Sequence, residues 1–74
     1  MFKIRLENTA EAEEFVKAAS ECGGDVDLHS GVVYIDGKSL LGVLAMGIKR
    51  EMNVTLNNPE DSKLKKAVQK FVVA

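Results

Sequence analysis

The chain has a single cysteine, a single histidine and a single proline, and no excess of either charge. One cysteine, Cys22, excludes an internal disulfide and a cysteine-rich metal site. One histidine, His29, has no partner motif for a metal ligand set or a histidine-based catalytic group. Ten basic residues against eleven acidic ones leave a net charge of -1. That lacks the concentrated positive field that binding to nucleic acid or an anionic membrane surface requires. The longest nearly apolar run, Leu40 to Ile48, falls far short of the roughly 20 residues that span a bilayer. The first residues, Met1-Phe2-Lys3-Ile4-Arg5, lack the apolar stretch of a signal peptide, so a cytoplasmic location is expected. Gly23-Gly24 has no companion glycine or lysine to form a phosphate loop.

What remains is a folding pattern. Hydrophobic residues make up 46% of 74 positions, enough for one domain (1–74) with a thin stability margin. Phe2-Lys3-Ile4-Arg5-Leu6 alternates as a half-buried strand does. Asn8 is placed to cap a helix, with Glu11 three residues on reaching back to the cap. Ala12, Phe15, Val16 and Ala19 then fall on one helical face. Gly23-Gly24 is expected to close that helix in the left-handed conformation. Val26 to Leu28 and Val32 to Ile35 flank the turn signal Ser30-Gly31 and read as a hairpin.

Ser39 precedes a short helix over Leu40 to Ile48, and Met52 to Leu56 alternates as a fourth strand. Asn58-Pro59 opens a last helix with Leu64, Ala67, Val68, Phe71 and Val72 as its buried stripe. Lys63, Lys65, Lys66 and Lys70 are left on its solvated face. The expected architecture is α+β, in the order β-α-β-β-α-β-α. It is a two-layer, open-faced sandwich: a mostly antiparallel four-stranded sheet with three helices on one face.

Two features resemble the HPr family, the histidine phosphocarriers of the phosphoenolpyruvate sugar phosphotransferase system. Gly37-Lys38-Ser39-Leu40-Leu41-Gly42-Val43-Leu44-Ala45-Met46-Gly47-Ile48 is similar to the segment around the regulatory serine of carriers from Gram-positive bacteria. Counted back from Ser39 without gaps, Phe15-Val16 and Asp25-Val26-Asp27-Leu28 fall on the family's first helix and second strand. The family's fold has the same element order as the one read above. The departure lies where family carriers hold the acceptor histidine, in a Gly-Ile/Leu-His-Ala/Thr-Arg-Pro loop. In the same register Asn8 stands at the histidine position, Ala10 at the arginine and Glu11 at the proline, and the connection from Leu6 is shorter.

The resemblance implies that this loop is a degenerate phosphoacceptor site. Transfer needs a neutral imidazole nitrogen as nucleophile, with an arginine and a helix N-terminus to hold the anion. An asparagine amide has no such lone pair, and Glu11 and Glu14 repel phosphate. His29, alternating with Val26 and Leu28 on a strand, is read as a surface histidine.

Ser39 is a preferred helix cap, contributing about 1 kcal/mol. The resemblance makes it a candidate for regulatory phosphorylation as well, with Lys38 beside it to pair with the added charge. A short helix cannot bury every side, so some of Leu41, Leu44 and Met46 must be exposed. With Leu40 they form a candidate protein-docking patch, set against the plainer reading that they are core.

The expectation is a binding or regulatory module, neither an enzyme nor a cofactor carrier. Its partners would be proteins: phosphotransferase-system enzymes, a serine kinase or a transcriptional regulator, with no nucleic acid and no membrane. The alternatives are a phosphocarrier with an atypical acceptor and a degenerate domain kept as an oligomerisation unit.

Overall fold

The computed structural model describes residues 1–73. Its elements are β1 (Phe2–Arg5), α1 (Thr9–Ser20), β2 (Val26–Ser30), β3 (Val33–Asp36), α2 (Leu40–Met46), β4 (Glu51–Leu56) and α3 (Lys63–Ala67). A 3-10 turn at Pro59–Ser62 leads into α3 and another at Gln69–Phe71 follows it. The sheet order is β1-β4-β2-β3, with every pairing antiparallel.

Alternation in the strands sends Ile4, Val26, Leu28, Ile35, Met52 and Val54 to one face. Register holds them together: Ile4 sits opposite Met52, and Leu28 lies between Val54 and Ile35. That apolar face is covered by Ala12, Phe15 and Ala19 of α1, by Val43 of α2, and by Leu64, Val68 and Phe71. The opposite face carries Lys3, Arg5, Asp27, His29, Tyr34 and Asn53, and no helix among the described residues covers it. Among the described residues no buried side chain is polar or charged.

Gly31 turns the β2–β3 hairpin with φ +59, a conformation open to glycine at little cost. The C-terminal segment closes the other edge of the sheet. Val72 bridges Ile4, and the Val73 N–H donates to the Lys3 carbonyl at 2.9 Å. Among the described residues β3 is therefore the uncovered edge, and it is only four residues long. No helix among them is long and apolar enough to cross a membrane.

Three expectations need correction. α1 does not close through left-handed glycines. It ends at Glu21 in right-handed geometry, with Glu21 and Cys22 N–H groups donating to Ala18 and Ala19. Gly24 is instead required by space, because a Cβ there would lie 2.4 Å from Asn57 Oδ1 and 2.8 Å from Asn58 Cβ. α2 stops at Met46, because Ile48 is needed for a bridge to Leu6.

The last helix is broken into two 3-10 turns around a single α segment, leaving Ala67 exposed and Val72 extended. Asn58 accepts from the Glu60 N–H only two residues on, which starts the chain as a tight turn.

Lys49, just after α2, has φ 58, and among the described residues it is the only non-glycine with positive φ. Its N–H is fixed on the Leu6 carbonyl at 2.6 Å. A side chain in that region costs about 1–2 kcal/mol, while glycine's extra chain entropy takes back about 0.5–1. Lys49→Gly should therefore stabilise the domain by about 0.5–1 kcal/mol, raising Tm by roughly 3–6 °C in thermal unfolding. An unchanged or lowered midpoint would show that the Lys49 side chain makes compensating contacts.

Candidate functional site

The site begins where β1 hands over to α1. Asn8 is extended, and its Oδ1 accepts the Glu11 N–H at 2.9 Å. Glu11 turns back, as expected, but its carboxylate accepts from Glu7 N–H at 2.8 Å, one residue before the cap. Glu7 also pairs with Arg5, and Glu14 with Lys70. Ala10 is exposed in the first turn. The amide oxygen of Asn8 is thus committed to the backbone, its nitrogen is not nucleophilic, and Glu7 and Glu11 flank it in the chain. The side chains of Glu7, Asn8, Thr9, Ala10 and Glu11 include no imidazole.

His29, the sole histidine, is half-buried on the uncovered face of the sheet. Its Nε2 lies 2.9 Å from Thr55 Oγ1, and its ring stacks on Tyr34 with centroids 5.3 Å apart. β2 alternation places it on the side opposite the buried Val26 and Leu28, and hence opposite the helices. It is remote from the α1 start by the thickness of the sheet.

α1 and α2 lie side by side in opposite directions. The Leu6–Ile48 bridge joins the end of α2 to the start of α1. Lys38 Nζ joins the start of α2 to the end of α1, donating to the Cys22 carbonyl at 2.9 Å. Asn8 and Ser39 therefore stand at opposite ends of the helix pair.

Ser39 is half-buried, and its Oγ accepts the Gly42 N–H at 3.2 Å. Its own N–H donates to Asp36 and its carbonyl accepts from Val43. Along α2 only Val43 is buried. Leu40 and Leu44 are half-buried against the core, while Leu41 is 81% and Met46 45% exposed.

At the end of the molecule where Ser39 lies, three loops meet through polar contacts that sequence reading did not find. Asp61, from the turn before α3, accepts the N–H groups of Gly23 and Gly24 at 3.1 and 2.9 Å. Asn57 accepts the Asp25 N–H at 2.8 Å, and Lys38 reaches Cys22 as described. The glycine pair was visible, but nothing local marks a carboxylate 37 residues away as its partner.

A shallow groove beside this junction is lined by Ala18, Glu21, Cys22, Asp61, Leu64 and Ala67, among others. Burial, and then the Asp61 carboxylate, push the Cys22 thiol above its ordinary value. Lys38 pulls it down without reversing the shift, and Glu21 adds to the rise. Cys22 is thus a poorly ionised thiol. Among the described residues no cluster of three or more His, Cys, Asp or Glu is arranged to hold a metal.

The lysines of the last helical segment are exposed, as expected. Lys65 Nζ lies 5.9 Å from the Phe2 ring centroid, and Lys70 lies over Phe71 as well as beside Glu14.

A family model described as the PTS HPr component phosphorylation site matches residues 8–73. Among solved structures the chain is similar to Crh of Bacillus subtilis. The TM-score is 0.70 at 18% identity, over 96% of this chain and 88% of that one. That structure is described as a domain-swapped, intertwined dimer of a catabolite-repression protein. At this identity the likeness establishes the fold. No curated protein sequence matches the chain.

The two polar devices differ in what their loss exposes. Asn8→Ala removes one exposed cap and should lower stability by about 1 kcal/mol in urea unfolding. Asp61→Ala strands two N–H groups, one part-buried, and removes charge-assisted bonds, so its loss should be about 2 kcal/mol. Equal effects would mean that the junction contributes no more than a helix cap.

Proposed function

The chain belongs to the HPr family of the phosphotransferase system, and on that footing we propose that it is a regulatory binding module of that system rather than a carrier of phosphate. The observation that supports this reading most is the start of α1. In the register that aligns Ser39 with the family's regulatory serine, Asn8 takes the acceptor position, and its amide serves as a helix cap. Ala10 and Glu11 take the positions of the arginine and proline. The anion would meet Glu7 and Glu11 carboxylates in place of a guanidinium. His29 offers no ready substitute, because a donor enzyme docked on the helices would face the wrong side of the sheet.

The functional surface of the proposed module is α2. Leu41 and Met46 project from a helix whose inner side is already filled by Val43, and Leu40 and Leu44 complete the patch. An exposed Leu/Met cluster on a short helix suits a protein partner with an apolar pocket. The partner is a protein of the phosphotransferase network: one of its enzymes, a serine kinase or a transcriptional regulator.

Ser39, at the head of this helix, is the proposed switch. A kinase would transfer the γ-phosphoryl group of ATP to Ser39 Oγ. The new P–O bond forms as ADP leaves, and the hydroxyl proton passes to the kinase. The phosphate adds about -1.5 to -2 charges to the rim of the patch. Its oxygens can accept the Gly42 N–H that Oγ accepts now.

Incubation with an HPr serine kinase and ATP, followed by intact mass, tests the proposal. One acid-stable phosphoryl group is expected, and none on Ser39→Ala. Leu41→Asp should slow labelling by about tenfold, while stability stays within about 0.5 kcal/mol because the side chain is exposed. Absence of label on the wild-type chain, or label that survives Ser39→Ala, removes Ser39 as the switch. Unaltered labelling of Leu41→Asp removes α2 as the surface the kinase grips.

A further inference from the structure

The residue next to the proposed switch is already engaged elsewhere. Lys38 is half-buried, and its ammonium donates to the carbonyl of Cys22, where α1 ends. Among the described residues this is the side-chain hydrogen bond that ties the β3–α2 loop to the α1–β2 loop. The second of these loops is held from its other side by Asp61, on Gly23 and Gly24, and by Asn57, on Asp25. The carbonyl is a neutral acceptor, whereas a phosphate on the adjacent residue is close to a dianion. A lysine carries a compact charge on a flexible four-carbon stem, so its ammonium can turn from one acceptor towards another.

We infer that Lys38 is a lever: phosphorylation of Ser39 draws its ammonium off the Cys22 carbonyl and so changes the C-terminal end of α1. The inference rests on the proposed modification of Ser39 and deepens it, because it states how the modified site would reach a second element of the fold. Three carboxylates lie by the two loops that Lys38 joins. Asp36 accepts the Lys38 backbone N–H, and Glu21 and Asp61 lie on the Cys22 side. In the unmodified chain the Cys22 side holds the ammonium. A phosphate shifts the balance of negative charge to the Ser39 side.

The chain contains its own reporter. Cys22 is the only cysteine and borders the groove beside α1, within the influence of the Lys38 charge. Departure of the ammonium leaves the thiol with its burial and with Asp61 and Glu21, all of which favour the protonated form. Alkylation requires the thiolate, so it should slow.

The experiment measures the rate of iodoacetamide alkylation of Cys22 at a fixed pH below the thiol's pKa. Phosphoserine is installed at position 39 during translation, so that no kinase is needed. Phosphoserine should slow alkylation by about fivefold, and Lys38→Met without phosphate should slow it by a similar factor. Phosphoserine in the Lys38→Met background should add less than about twofold, whereas Lys38→Arg should restore the full response. Native far-UV circular dichroism in each variant ensures that folded chains are compared.

No slowing by phosphoserine, or equal slowing in the presence and absence of Lys38, overturns the lever. If the kinase leaves the chain unlabelled while encoded phosphoserine still slows Cys22 through Lys38, the modification fails and the lever stands. Labelling by the kinase with no change at Cys22 leaves the modification standing and removes the lever.

Discussion

A sheet with one apolar face has to be covered on that face and on no other, and this asymmetry places everything else in the molecule. Ile4, Leu28, Met52 and Val54 face Phe15, Val43 and Leu64, and no buried polar group among the described residues interrupts the contact. Burial of a side chain as large as Phe15 contributes about 1.5–3 kcal/mol, a large part of the margin of so small a domain. The helices must therefore lie on one side, and α1 and α2 must lie next to each other. Residues that alternate to the other side, His29 and Tyr34 among them, are separated from the helical surface by the thickness of the sheet.

The consequence for chemistry is a division of the surface. The α1–α2 pair has two ends with different equipment. At one end Asn8 and Glu11 accept backbone N–H groups at the start of α1, which stabilises the helix. At the other end Ser39, Lys38, Cys22, Gly24 and Asp61 form a junction of three loops. Between them α2 shows Leu41 and Met46 to solvent. The family fold has been kept. In the proposed reading, the capacity to carry phosphate has given way to capping and acidic side chains at one end, while a hydroxyl open to modification remains at the other.

Much of this was legible in the residues. Period-two alternation gave the strands, and Asn8, Ser39 and Asn58 each cap the segment they precede. Local patterns fail where a distant partner intervenes. The glycine pair after α1 looked like a helix terminator. In the structure, Gly23 and Gly24 offer N–H groups to Asp61, and Gly24 lacks a Cβ because Asn57 and Asn58 crowd it. Ala67 and Val72 fit the stripe of a regular last helix, but the tight turn at Asn58 and the pairing of Val72 with Ile4 break that regularity. Sequence places Lys38 beside Ser39 as a partner for an added phosphate, and no sequence signal ties it to the carbonyl of Cys22.

The central proposal is that this chain offers the donor enzyme no nitrogen able to accept a phosphoryl group. It is tested most directly by phosphorus NMR of the chain in the presence of phosphoenolpyruvate and the first enzyme of the phosphotransferase system. An ordinary HPr added to the same tube shows that the donor is active. The account predicts a phosphohistidine signal from the added carrier and none from this chain, with or without His29. An acid-labile phosphoramidate on this chain that disappears in His29→Ala would contradict it.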